Sequence, residues 1–194
     1  MQVDREQIEM MTKGGRLKLT FGQTVDHYFI VVFLLIVPGM TAHSLYQMYV
    51  TETYAGVRSA SELLTASVPF LILSIAFYFI QRNALKLKEI RLDCTDEQFQ
   101  AAIKRTMEEL KWQVELNDKD FFRAYRRWNW TASWGEMITI IRGNGRLYIN
   151  SICDPNSISS VTSWGWNKRN VKTFWSKLTE EINKTGRTEE KQIA

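Results

Sequence analysis

The residues with the clearest capacity for chemistry are cations interleaved with aromatic side chains between positions 121 and 175. This stretch holds eight cations and the two anions Glu136 and Asp154, whereas residues 92–120 hold four cations and eight anions. Guanidinium groups beside aromatic planes bind phosphates, anionic lipid headgroups or single-stranded nucleic acid. The pattern predicts an anion-binding surface on the later part of the chain, with a solvated strand face as the alternative.

Strand alternation divides the first of these residues between two faces. From Phe121 onward, every second side chain points the same way. We expect Phe122, Ala124 and Trp128 to face the core, which leaves Arg123 and Arg127 outward beside Tyr125. Cations at a nearby hairpin turn and on the last helix would extend that surface. The predicted binding residues are Arg123, Arg127, Arg142, Arg146, Lys172 and Tyr125.

Two Trp-Gly pairs, Trp134-Gly135 and Trp164-Gly165, lie thirty residues apart, and each follows a serine. Glycine at such positions permits a bulge or a close backbone approach. We expect the indoles to close one end of the core. The alternative is a binding pocket lined by Trp134 and Trp164.

Catalytic, metal and cofactor sites are not predicted. His27 and His43 lie in or beside an apolar segment, so Cys153 in the polar part has no histidine to activate it. The two cysteines, Cys94 and Cys153, form no metal-ligand spacing. Gly143-Asn144-Gly145 is typical of a hairpin turn rather than of a phosphate-binding loop. The sequence therefore favours a binding protein over an enzyme, and it predicts no cofactor.

Two apolar segments predict a transmembrane hairpin. No charged residue occurs from Tyr28 to Thr51 or from Leu63 to Ile80. A hydrocarbon layer about 30 Å thick needs roughly 20 helical residues. Pro38 within the first segment predicts a kink. The short connection between the segments makes the two helices antiparallel.

The flanking cations predict the orientation of this hairpin. Eight cations flank its two outer ends, and Arg58 alone lies in the connecting loop. Positive charge favours the cytoplasmic side, so both termini are expected in the cytoplasm. The predicted divisions are a cytoplasmic N-terminal segment (1–24), the hairpin (25–82), an α+β domain (83–186) and a disordered tail (187–194).

The polar domain is predicted as α+β, in the order β-α-β-β-β-β-α. Its helices are expected at 96–110, after Thr95 or Asp96, and from about Asn167 to a C-cap at Gly186. Its strands have period-two alternation. An antiparallel sheet with both helices on one face satisfies these patterns.

Three segments of this domain carry a resemblance. Ser133-Trp134-Gly135-Glu136-x-Ile138-x-Ile140, Ile149-x-Ser151 and Trp164-Gly165-x-Asn167-x-x-Asn170-Val171 resemble a pattern in small uncharacterised bacterial proteins. Several of those proteins place the pattern after membrane helices, and it covers roughly residues 90 to 180 here. The resemblance implies a bacterial inner-membrane protein and assigns no activity.

Together these patterns predict an integral membrane protein in which the cytoplasmic domain is an interaction or regulatory module. Its expected partners are anionic membrane lipids and a protein, which includes a second copy of the chain; nucleic acid is not favoured. The alternative is an accessory subunit of a transporter or channel. In that case polar side chains in the apolar segments would contact a partner helix: Thr41, His43, Ser67 and Ser74.

Overall fold

The structure, a computed structural model, describes residues 4–92, 94–127, 134–143, 145–157 and 163–193. It has an α+β architecture with helices before, within and after one sheet. The helices are α1 (Arg5–Gly14), α2 (Phe21–Leu34), α3 (Ile36–Tyr46), α4 (Ala60–Ala84), α5 (Asp96–Leu110) and α6 (Trp166–Ile193). The strands are β1 (Lys88–Arg91), β2 (Trp112–Asn117), β3 (Phe121–Arg126), β4 (Glu136–Gly143) and β5 (Arg146–Cys153).

The longest apolar helix is α4, whose 25 residues suffice in length and composition to cross a membrane. Its N-terminus is held by a capping box, in which Ser59 accepts from the Glu62 amide and Glu62 accepts from the Ser59 amide. Only 11% of its most apolar window is buried. Apolar side chains along α4 therefore face outward from the protein.

The first apolar segment is broken rather than merely kinked. Helices α2 and α3, together with a π-helical turn at Gln47–Thr51, bend by 50° at Leu35. Pro38 has no N–H, and its ring crowds the carbonyl of Leu34 four residues earlier. Helix α2 ends at that residue, so the break lies before the proline.

Polar contacts join α2 to α4. The Gln81 side chain donates to the His27 carbonyl over 2.8 Å, and His27 Nε2 lies 3.1 Å from the Gln81 carbonyl. Nearer the middle of α4, Ser74 Oγ donates to the Val31 carbonyl over 3.1 Å. These polar groups are buried between the two helices, which satisfies them without solvent.

The five strands form an antiparallel sheet in the order β1-β5-β4-β3-β2, as the alternation predicted. The central register pairs Ala124 with Ile138 and Ile138 with Ser151. A bulge between Val114 and Leu116 shifts the outer strand β2, so Leu116 pairs with Arg123.

One face of the sheet is covered by α5 and α6, as predicted. Thr95 caps α5 in a capping box with Gln98. The helical and strand side chains that meet here form the helix-side core: Phe99, Ala102, Ile103, Leu110, Trp112, Phe122, Ala124, Ile138, Ile140, Leu147, Ile149, Phe174 and Leu178. Trp128, whose side chain was also expected here, lies outside the described residues, as does Asn144 of the predicted turn.

The opposite face of the sheet is also covered, which the sequence did not predict. Helix α1 and the segments next to the apolar helices pack on it. Their contacts form what we call the α1-side core: Met11, Leu17, Leu85, Phe121, Met137, Ile141 and Ile152. The sheet is thus the middle layer of three, and the N-terminal segment 1–24 contributes to its packing.

Backbone hydrogen bonds fasten these segments together. Leu17 N donates to the Leu85 carbonyl over 2.8 Å, and Leu87 N donates to the Gly15 carbonyl over 2.9 Å. Arg16 and Lys86 form an antiparallel bridge between those bonds. Gly15 reaches this pairing by ending α1 at φ +60°, a left-handed conformation that suits glycine.

The last helix is longer than predicted. Helix α6 continues past Gly186, the expected C-cap, to Ile193. The segment 187–193, predicted as a disordered tail, therefore has helical backbone.

Candidate functional site

Arg123 does not lie on an outer face. It is 4% exposed, its guanidinium stands 5.0 Å from the ring centre of Phe121, and Nη1 is 3.8 Å from Glu115. The direction assigned by strand alternation is right, because Phe122 and Ala124 face α5 and α6. The expected exposure is wrong, because the α1-side core covers this face of the sheet.

The other predicted residues of β3 and α6 do not join Arg123 in one surface. Arg127 is exposed and donates to Gln113 over 2.8 Å. Lys172 is exposed on α6, which covers the other side of the sheet. Tyr125 is half-buried, and burial, its largest perturbation, raises the pKa of its hydroxyl to about 12.

Arg142 and Arg146 do come together, at the end of the sheet where β4 turns into β5. Arg142 donates to Asp96 over 2.6 Å and lies 4.6 Å from the ring centre of Phe99. Arg146 is 3.2 Å from Glu89. Both residues border a cleft of about 650 Å³ between α1 and the sheet, which we call the basic cleft. The Arg142 guanidinium is turned to the α5 side of the sheet, where Asp96 and Phe99 lie, whereas Arg146 is on the α1 side.

Helix α1 supplies the rest of the charge in the basic cleft. Arg5 and Lys13 join Arg142 and Arg146, while the lining carboxylates are Glu9 and Asp120. The lining residues include four cations and two anions, and Tyr148 adds an aromatic wall. Three of these cations are already in ion pairs: Lys13 with Glu9, Arg142 with Asp96 and Arg146 with Glu89. Such a set can bind carboxylate or phosphate oxygens. Sequence reasoning missed the two cations of α1 because nothing in the pattern placed that helix on the sheet.

The opposite end of the sheet meets α2. Gln23, in the first turn of α2, donates a 3.3 Å hydrogen bond to Asn156, which follows β5. Asn156 donates in turn to the Tyr125 hydroxyl over 3.1 Å. The eight residues of β5 separate this contact from Arg146, and seven residue steps span about 24 Å. The basic cleft is therefore distant from the junction with α2.

Both predicted tryptophans lie at this end of the sheet, which we call the junction end. Trp164 is two residues before Trp166, whose ring stacks on Arg126 at the end of β3. Asp154 N donates to the Gly135 carbonyl over 3.0 Å, which places Trp134 beside the loop that contacts α2. Trp134 is 41% exposed and Trp164 is 78% exposed, so neither indole closes the core. Trp164 has φ +50°, a left-handed conformation that a bulky residue rarely adopts and that costs about 1–3 kcal/mol. Trp130 and Ser133 lie outside the described residues.

Trp166 closes the core at this end instead. The Arg126 guanidinium stacks 3.5 Å from the centre of its ring and is paired over 2.9 Å with the buried Glu136. The Arg169 guanidinium lies 4.5 Å from the centre of the same ring. Desolvation of this pair is offset by a short ionic hydrogen bond and by the stacking contact.

The asparagines of the Trp-Gly-x-Asn-x-x-Asn motif are structural. Trp112 Nε1 donates to Asn170 over 3.1 Å, and Asn170 donates to Ser151 Oγ over 3.0 Å. Ser151 donates in turn to Asn167 over 3.0 Å. This network joins β2, β5 and α6 with buried polar groups that satisfy one another.

Among the described residues, no group of three or more histidine, cysteine, aspartate or glutamate side chains is placed to hold a metal ion. Burial raises the pKa of Asp154, although the Asn156 amide opposes that shift by donating to its carboxylate. This half-buried carboxylate is near the junction end rather than in the basic cleft.

Comparison with known proteins gives no relative from which a function could be taken. No family model matches the chain, and neither a curated protein nor a solved structure matches it significantly.

Proposed function

We propose that the chain is a membrane-anchored interaction module. In this proposal α2–α3 and α4 cross the membrane as a hairpin, and the α+β domain stands on the cytoplasmic side, where its basic cleft binds an acidic surface of a protein partner. The observation that carries the proposal is the α1-side core, in which Leu17 and Leu85, from either side of the apolar helices, pack on the same sheet.

The outward apolar surface supports the membrane crossing. A core helix of a soluble protein buries most of its apolar side chains, whereas 11% of the apolar window of α4 is buried. Large apolar side chains such as Phe33 on α2 and Phe79 on α4 are about half exposed. A bilayer would cover this surface without any further protein.

The backbone pairing of Gly15–Leu17 with Leu85–Leu87 supports two crossings. Both ends of the apolar region meet on one sheet, so both must lie on the same side of a membrane. An even number of crossings satisfies this requirement. The eight flanking cations against Arg58 in the loop favour the cytoplasm for that side.

Distance argues for a protein rather than lipid headgroups as the ligand of the basic cleft. Arg146 lies about 24 Å along β5 from the contact with α2, whereas charges are screened over about 8 Å at physiological salt. An acidic segment of a protein can reach the cleft from the cytoplasm.

The accessory-subunit alternative has less support from the packing. Three of the four polar side chains that would contact a partner helix are already buried in the described structure: Thr41, Ser67 and Ser74. His43 is exposed on α3 and remains available to a partner.

Cysteine labelling tests the anchoring and orientation. Cys153 is buried and is a poor probe, so both native cysteines are replaced by alanine, and Ser59→Cys or Lys184→Cys is introduced. A membrane-impermeant maleimide should label Ser59→Cys in intact cells and Lys184→Cys only after permeabilisation. Labelling of Lys184→Cys in intact cells would contradict the orientation.

The basic cleft is tested with a fluorescent oligoglutamate peptide and the purified full chain in detergent. The double variant Arg142→Gln/Arg146→Gln should weaken binding about tenfold, since two partly exposed charge pairs are worth about 1–2 kcal/mol together. The matched control removes two exposed cations outside the cleft, Lys104→Gln/Lys184→Gln. Equal affinity of the two double variants would rule out the cleft as the binding site.

A further inference from the structure

We propose that Trp134 and Trp164 form an interfacial anchor that seats the junction end of the α+β domain among the headgroups of an anionic bilayer. This inference rests on the proposed membrane anchoring and names a second contact between the domain and the lipid. It differs from the basic cleft in both location and partner.

The position of the junction end relative to the bilayer follows from its contact with α2. Asn156 accepts from Gln23, and the uncharged stretch of the apolar segment begins five residues later, at Tyr28. Five helical residues rise about 7.5 Å, and each polar layer of a bilayer is about 5–8 Å thick. Asn156 therefore lies at the outer part of the headgroup layer. The Asp154–Gly135 hydrogen bond brings Trp134 to the same end of the sheet.

Trp164 presents its indole outward from a strained backbone. Its φ of +50° is followed by +86° at Gly165, and the side chain is 78% exposed. Burial within the domain thus covers little of this indole. Tryptophan concentrates at membrane–water interfaces, where its apolar ring and polar N–H are both accommodated. Insertion of the Trp164 indole into this interface would remove its apolar ring from water.

Cations are in a small excess at this end of the domain. Lys111 directly precedes β2, Arg127 directly follows β3, and both strand ends lie at the junction end because Trp112 pairs with Arg126. The first turn of α6 adds Lys168 and Arg169, which are exposed. The carboxylates Glu136 and Glu109 are paired with Arg126 and Lys177. The further carboxylates at this end are Glu108, Asp26 and Asp154, so the four cations exceed the anions by one, and this excess favours anionic lipid.

Tryptophan quenching by brominated lipid measures the contact directly. The full chain is reconstituted in nanodiscs of phosphatidylcholine and phosphatidylglycerol brominated near the headgroup end of the acyl chain. The variant Trp134→Phe/Trp164→Phe should lose most of the lipid-quenched intensity of the wild type. The matched control is Trp175→Phe, whose indole is also exposed but lies about 14 Å further along α6 from Trp166. This control should retain the quenched intensity.

Four outcomes decide the proposal. Equal quenching of the wild type and the double variant would overturn the anchor. Equal quenching in phosphatidylcholine alone and in the anionic mixture would overturn its preference for anionic lipid. Resistance of the full chain to extraction from membranes by alkaline carbonate is measured in parallel. Full extraction would overturn the membrane anchoring itself, whereas resistance with unquenched Trp134 and Trp164 would overturn only the anchor.

Discussion

Gln23 and Asn156, 133 residues apart in the chain, are joined by a 3.3 Å hydrogen bond between their side-chain amides. The first belongs to the first turn of α2, and the second belongs to the loop that leaves the sheet. Because Asn156 also donates to Tyr125, the bond ties α2 to two separate strand ends. The apolar helices and the domain are thus held together by side chains as well as by the backbone pairing next to α4.

Leu17 should stabilise the domain although it precedes the apolar helices. Leu17→Ala removes buried apolar surface from the α1-side core and should cost about 2–5 kcal/mol of unfolding free energy. Urea denaturation of the full chain in detergent, followed by tryptophan fluorescence, measures the loss. Lys18→Ala, at the exposed next position, should change stability by about 0.5 kcal/mol or less. Equal stability of the two variants would contradict packing of this segment on the sheet.

Replacing only one partner of the Arg126–Glu136 pair should destabilise the domain strongly. Arg126→Met leaves a buried carboxylate without its cation and should destabilise the domain by about 3–5 kcal/mol. The double variant Arg126→Met/Glu136→Met should be less destabilised than the single one, because the unpaired charge is gone. Arg127→Gln, one residue away and exposed, serves as the control and should have little effect in the same urea titration. A double variant no more stable than Arg126→Met would mean that the unpaired charge is not the source of the loss.

Asp154 should destabilise the domain at neutral pH. Its pKa is raised in the folded state by burial, so the folded domain binds the carboxyl proton more tightly than the unfolded chain does. The stability that this proton contributes is complete below the unfolded pKa and is lost as pH rises through the folded pKa. Asp154→Asn keeps an acceptor for the Asn156 amide and should be more stable than the wild type at pH 7.

Urea denaturation at 25 °C across pH 3.5 to 7 tests this dependence. The advantage of Asp154→Asn over the wild type should shrink toward acid, because the wild-type carboxyl is then neutral as well. A constant difference across that range would show that the titration of Asp154 is not responsible.

Local patterns predicted most of the elements within the sheet domain. The bounds of α5 followed from the Thr95 cap and the periodic apolar residues, and the strands followed from alternation. The helix cap and the alternation are both short-range signals, so they can be read from the sequence without knowledge of the tertiary contacts. They also placed Phe122 and Ala124 correctly toward the helices.

The second face of the sheet could not be predicted in the same way. It depends on Met11, Leu17 and Leu85, which lie in short segments separated by the entire apolar region. The hydrophobic periodicity within each segment does not predict that these segments will contact one another. The burial of Arg123 and the contribution of Arg5 and Lys13 to the basic cleft both follow from that unpredicted layer.

Cross-linking across the Arg16–Lys86 bridge tests the central claim, that the segments on both sides of the apolar helices form one unit with the sheet. The two hydrogen bonds flanking this bridge identify a non-hydrogen-bonded antiparallel pair, whose Cα atoms lie about 4.5 Å apart and so permit a disulfide.

Arg16→Cys/Lys86→Cys is prepared in a chain whose native cysteines are replaced, with a protease site between Glu52 and Arg58. After mild oxidation and cleavage, the two fragments should stay joined on a denaturing gel until they are reduced. The control pair Lys13→Cys/Lys86→Cys should separate without reduction. Fragments of Arg16→Cys/Lys86→Cys that separate without reduction, although both thiols react with maleimide, would contradict the claim.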